Sequence, residues 1–123
     1  MYKEFVQYPE ALELKHLGFN ESCIGYLEPD GRLVYSNIKN TNFFWAELPI
    51  ISAPTYSQAF KFFREYQDWA LDSWIQPHLS EQPKQYQAFY WTRGETVSVG
   101  FFSTHSQAEL GLLRKLIEIA KNK

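Results

Sequence analysis

The feature that most constrains this chain is the stretch from Tyr86 to Ser103, where aromatic residues alternate with small and polar ones on both sides of Arg93-Gly94. Alternation of period two is a strand signal, and a Gly-containing dipeptide between two such runs is a hairpin turn. Tyr86 to Thr92 and Thr96 to Ser103 therefore predict two antiparallel strands. With Arg93 and Gly94 as the loop, Tyr90 falls opposite Val97, Ala88 opposite Val99 and Tyr86 opposite Phe101 on one face. Phe89, Trp91 and Phe102 share the other face with Ser98 and Gly100. The first face reads as core, whereas the second sets large aromatic rings above small residues.

A second hairpin is written around Pro29-Asp30-Gly31. Pro presets the first turn position and Gly takes the left-handed bulge position of a three-residue loop. That register, within strands over 23–28 and 32–38, pairs Glu28 with Arg32 and sets Tyr35 opposite Gly25. Trp74 to Leu79 predicts one more strand, and Phe43 to Ile51, interrupted by Pro49, reads as an edge strand or extended crossover.

Three helices complete the set. The first is opened by Pro9 and closed by Gly18, with Phe19 placed to touch Leu14 in a Schellman ending. The second starts at Ser52-Ala53-Pro54 and gathers Tyr56, Ala59, Phe60, Phe63, Tyr66 and Ala70 on one side, with Phe62 and Trp69 on its flank. The third runs from about Thr104 to Lys121 on an apolar face of Leu112, Leu113, Leu116, Ile117, Ile119 and Ala120. Glu109 interrupts that face, and Ser106-Gln107-Ala108-Glu109 has the spacing of a capping box that would turn its carboxylate back to the helix start. The expectation is one α+β domain over residues 1–123, a single antiparallel sheet of four to six strands with both hairpins, packed against about three helices.

Chemistry is constrained mainly by what is missing. One Cys, at position 23, forms no disulfide framework, and His16, His78 and His105 have no metal-ligand spacing. The six Gly are isolated from one another, which disfavours a phosphate-cradling loop. His105 and Glu109, four apart on a helix, read as a surface pair, and Cys23 in a strand reads as a small buried hydrophobe. No catalytic residue, metal or cofactor is expected. Twelve Lys and Arg balance fourteen Asp and Glu along the whole chain, which disfavours a phosphate-binding surface for nucleic acid. The first residues lack the apolar run of a signal peptide, and no stretch approaches the ~20 apolar residues that span a bilayer, so the expected setting is the cytoplasm, away from membranes.

The segments Ser52-Ala53-Pro54-Thr55-Tyr56, Gln58-Ala59-Phe60, Phe63-Arg64-Glu65, Ala108-Glu109-Leu110 and Leu113-Arg114-Lys115-Leu116-Ile117-Glu118 resemble, in order, a group of small uncharacterised proteins of Bacteroidetes phages and mobile elements. Ala11-Leu12-Glu13-Leu14-Lys15 with Leu17-Gly18-Phe19 fits the opening of that group. The resemblance implies a phage or prophage origin and brings no activity with it.

What is left over is aromatic. Phe, Tyr and Trp make up 18% of the chain, and helix and strand periodicity absorbs only part of them. Phe43, Phe44 and Trp45 stay unassigned, and Phe89, Trp91, Phe102, Phe62 and Trp69 form the candidate interaction surface. Two functions follow from it. One is a non-enzymatic accessory protein that binds another protein or self-associates; the other is a protein that stacks single-stranded bases on the sheet face, with Arg93 and Lys84 near the phosphates.

Overall fold

The computed structural model describes residues 4–35, 50–65, 71–78 and 85–122. The chain is α+β and divides into two compact units, residues 1–59 and 60–123, with the division falling inside the second helix.

In the first unit, α1 (Tyr8–His16) carries Pro9 in its first turn and ends as its sequence dictates. Gly18 takes φ 102°, its N–H donates to Lys15 O (3.0 Å) and the Phe19 N–H donates to Leu14 O (2.9 Å). Both Leu14 and Phe19 are buried, which is the apolar contact of a Schellman ending. Strands β1 (Gly25–Leu27) and β2 (Leu33–Tyr35) pair antiparallel, with Gly25 opposite Tyr35 and Leu27 opposite Leu33. The turn has the expected bulge: Gly31 N–H donates to Glu28 O, Glu28 N–H donates to Arg32 O, and Gly31 takes φ 92°. Arg32 binds Glu28 through Nε (2.7 Å) and through Nη2. Gly25 is required by close approach, since a Cβ there would fall on the backbone oxygen of Val34.

The third strand of this sheet is β3 (Ile51–Ser52), which pairs with β1 and gives the order β2-β1-β3. Helix α1 lies against β3. Ser52 therefore belongs to a strand, and α2 (Tyr56–Glu65) begins four residues later than its sequence start signal suggests. Its cap is Thr55. The Gln58 N–H donates to Thr55 Oγ1 (3.2 Å) while the Thr55 N–H donates to Gln58 Oε1 (2.9 Å), a reciprocal capping box. Gln58 Nε2 also donates to Ser22 O at 2.8 Å, which ties the helix start to the segment entering β1.

In the second unit, β4 (Asp72–His78), β5 (Gln85–Thr92) and β6 (Glu95–Phe102) form an antiparallel meander, order β4-β5-β6. Helix α3 (His105–Lys121) packs along one face of it. Its apolar stripe is buried as patterned, through Ala108, Leu112, Leu113, Leu116, Ile117 and Ala120. The helix is capped by Thr104, whose Oγ1 accepts from the Gln107 N–H at 3.1 Å. The capping box expected at Ser106 is thus displaced by two residues, and Glu109 lies one turn inside the helix.

The expectation of a single sheet of four to six strands is corrected: the described residues form two three-stranded antiparallel sheets. The reason is local closure. Each hairpin is completed by a third strand from its own half of the chain, β3 for the first and β4 for the second. Of the 43–51 segment, Ile51 enters β3, and Phe43, Phe44 and Trp45 lie outside the described residues.

Candidate functional site

The β5–β6 turn is built on Arg93 (φ 51°) and Gly94 (φ 84°), two successive left-handed residues whose twist matches that of a hairpin. From the turn the ladder runs as expected, Trp91 opposite Thr96, Tyr90 opposite Val97 and Phe89 opposite Ser98. It then shifts at a β-bulge, so that Ala88 pairs with Gly100, Gln87 with Phe101 and Tyr86 with Phe102. Gly100, at φ 143°, takes a backbone conformation that residues with a Cβ rarely adopt.

The bulge reverses the expected faces of the last two aromatics. Phe102, assigned by strict alternation to the face of Phe89 and Trp91, turns to the helix side, where a Cβ on Gly111 of α3 would come within 2.5 Å of its ring. Phe101, expected in the core, is 53% exposed. The helix side is otherwise as expected: Ala88 is fully buried, and the Tyr86 ring meets His105 of α3 edge-on at 5.7 Å.

On the opposite side, nine side chains form a lattice of three rows. Asp72, Trp91 and Thr96 make the row next to the turn; Trp74, Phe89 and Ser98 make the middle row; Gln76, Gln87 and Phe101 make the third. Trp74 is 38% exposed and Trp91 40%. The rings of Trp74 and Phe89 stack at 5.3 Å with 18° between their planes. Cross-strand neighbours have Cβ atoms about 5 Å apart, which is the spacing of these stacked rings. Beside the stack lies Ser98, whose Oγ accepts from Gln87 Nε2 at 2.9 Å. Asp72 is the one ionisable side chain among the nine.

The other sequence candidates are placed differently. Phe62 is 4% exposed and meets Phe63 edge-on at 5.4 Å, so it is a core residue and not part of a surface. Trp69 and Lys84 lie outside the described residues. Trp74, which the sequence marks only as the start of a strand, is half of the stacked pair through its cross-strand pairing with Phe89.

Cys23 is buried, and burial, followed by the nearby Glu21 charge, pushes its thiol up to about 12. A thiol held protonated in this way is a poor nucleophile at neutral pH. Burial likewise raises Glu109 above the ordinary carboxylate range, partly opposed by His105, whose Nδ1 lies 3.6 Å from Glu109 Oε1. That distance is too long for a hydrogen bond and gives an ion pair only when the imidazole is protonated. Among the described residues no group of three or more His, Cys, Asp or Glu is placed to hold a metal ion. A cavity of about 200 Å³ in the first unit is floored by Phe5, Val6, Leu27 and Leu33, and its charged lining residue, Arg32, is engaged by Glu28.

Fold and site together define a small α+β protein with a helix on one face of its second sheet and an aromatic lattice on the other. No protein-family model, curated protein or solved structure matches the chain. No helix among the described residues is long and apolar enough to cross a membrane.

Proposed function

We propose that this is a non-enzymatic accessory protein of phage or prophage origin, working in the cytoplasm, that acts by protein-protein interaction through the open face of β4, β5 and β6. The observation that carries the reading is the exposure of Trp74, Trp91 and Phe101 together on one sheet face. Scattered single apolar residues are normal on a surface, but adjoining ones mark interaction sites, and Trp is prominent among the residues that dominate binding energy. Burial of Cys23, the one thiol of the chain, weighs against a thiol nucleophile. The resemblance of the helical segments to small Bacteroidetes phage proteins supplies the setting.

The second reading, base stacking on the same face, draws on the Trp74–Phe89 stack. The charge pattern weighs against it: the ionisable residues that the β4–β5 ladder places on this face are Asp72, an acid, and His78, whereas single-strand binding needs a row of cations that tracks the backbone.

The test is photo-crosslinking in phage-bearing host cells, with a benzophenone amino acid placed at position 91 of the full chain and, as control, at exposed position 118 of α3. Protein adducts from position 91 that are absent from position 118 support the reading. Nucleic-acid adducts from position 91 transfer it to the base-stacking alternative, and no adduct, or the same adducts from both positions, overturns both.

A further inference from the structure

The lattice of nine side chains on the open face of β4, β5 and β6 is small, and its aromatic part offers hydrogen-bond donors. With strands about 4.8 Å apart and about 3.3 Å per residue, it covers roughly 300 Å². A folded partner in a stable complex covers about 800 Å² per side, so this face fits a short linear segment and not a second domain. The exposed rings of Trp74 and Trp91 each carry an indole N–H, a donor with no acceptor beside it on the ring, and neither has a hydrogen-bond partner among the described residues. Gln76 and Thr96 are exposed on the same face and add amide and hydroxyl donors. Gln87 and Ser98, by contrast, are engaged with each other.

Energetics narrow the segment further. Burial over so small an area releases free energy of the same order as the backbone entropy lost in fixing a flexible peptide of about six residues across it. Such a peptide gains little. A polyproline II segment has most of that freedom removed in advance, so the same area leaves a net gain. Its backbone also matches the face: the helix has no internal hydrogen bonds, and each proline keeps its carbonyl acceptor while lacking the N–H. Indole donors without acceptors thus meet carbonyl acceptors without donors. Six residues at about 3.1 Å each span about 19 Å, enough to cross the three rows. Charge agrees, since one acid and no base among the nine side chains repel a polyanion and admit a neutral or weakly basic chain.

We infer that the open face of β4, β5 and β6 binds a proline-rich segment of another protein in the polyproline II conformation, with prolines against the rings of Trp74, Phe89 and Trp91 and the two indole N–H groups donating to the segment's carbonyls. This rests on the reading of that face as a protein-binding surface and names the chemistry of its partner.

The experiment is a titration of the nitrogen-15-labelled full chain with synthetic octaproline, followed by nuclear magnetic resonance of the indole N–H groups, with an octamer of alternating Gly and Ser as the flexible control. Trp74→Phe and Trp91→Phe each delete one indole resonance and so assign it, and circular dichroism establishes that each variant is folded. Octaproline shifts the Trp74 and Trp91 resonances with a Kd between about 10 µM and about 1 mM, the range of small interfaces, and the control binds at least ~10-fold more weakly. Trp91→Ala removes ring and donor together from an exposed position and weakens octaproline at least ~10-fold. Indole resonances that do not move at saturating octaproline, that move equally with the control, or an affinity unchanged in Trp91→Ala overturn the inference. Resonances that move on dilution of the protein alone make a second copy the occupant and overturn it as well. If octaproline fails while position 91 still crosslinks to another protein, the protein-binding reading stands and only the proline-rich partner falls.

Discussion

Phe101 and Phe102 are adjacent in sequence and sent to opposite faces by the bulge, and replacing each with Ser tests that arrangement. Phe101 keeps 53% of its surface in water. At about 25 cal/mol per Å² on the roughly 100 Å² that remains covered, its transfer contribution has a ceiling of about 2.5 kcal/mol. The unfolded chain already covers part of that area, and a side chain facing water leaves no cavity, so Phe101→Ser is expected to cost about 1 kcal/mol. Phe102 lies over Gly111, where the missing Cβ makes room for its ring. Its removal takes the ring from between sheet and helix, and about 3 kcal/mol is expected for Phe102→Ser. Urea unfolding followed by far-ultraviolet circular dichroism reads the difference: about 2 kcal/mol corresponds to midpoints about 1 M apart at an ordinary slope. A Phe101→Ser variant as unstable as Phe102→Ser, or less stable, would return the strand to strict alternation, with Phe102 in place of Phe101 on the open face.

Three further outcomes follow from the geometry. Gly25→Ala forces a Cβ onto the backbone oxygen of Val34, which cannot move without breaking the β1–β2 ladder, and is expected to cost about 2 kcal/mol in thermal or urea melts. Cys23, with its thiol raised from 9.0 to about 12, presents about 1000-fold less thiolate near pH 8 than an ordinary thiol, so iodoacetamide should modify it at least that much more slowly in native than in denatured protein. Because the folded value is the higher one, the stabilisation linked to the protonated thiol is complete below about pH 9 and is lost as pH rises toward 12. For Glu109 the folded carboxyl also holds its proton more tightly than the unfolded one, so the ionised form opposes folding as pH rises past 4.5. Glu109→Gln should therefore melt higher than wild type near pH 7, and the gain should vanish below about pH 4.

The elements whose signals are local and unambiguous were legible in the sequence. The Gly18 ending of α1, the Pro29-Asp30-Gly31 turn with its Glu28–Arg32 and Gly25–Tyr35 pairs, the Arg93-Gly94 loop and the stripe of α3 all stand where turn chemistry and periodicity put them. Two kinds of feature were not legible. The bulge at Gly100 is one, because period two carries no mark for an inserted residue; a glycine in mid-strand was the available hint, and without it Phe101 and Phe102 were assigned to the wrong faces. Sheet composition is the other, since strand pairing between distant segments is settled by tertiary contacts and β3 is only two residues long. The helix caps show competition between similar signals. Thr55-x-x-Gln58 and Thr104-x-x-Gln107 both fit a capping pattern, but Pro54 and Ser106 beside them suggested other starting points. Of the candidate site, Phe89 and Trp91 were correctly placed on one face, and Trp74 became visible only through its pairing with Phe89.

Hydroxyl-radical footprinting of dilute native protein, read by mass spectrometry, tests the central claim most directly. If the face of β4, β5 and β6 is open for a partner, Trp74, Trp91 and Phe101 oxidise rapidly while buried Phe19, Phe62 and Phe63 are protected. Protection of Trp74 and Trp91 to the level of Phe63 would mean that the chain covers this face itself, and the account would be wrong.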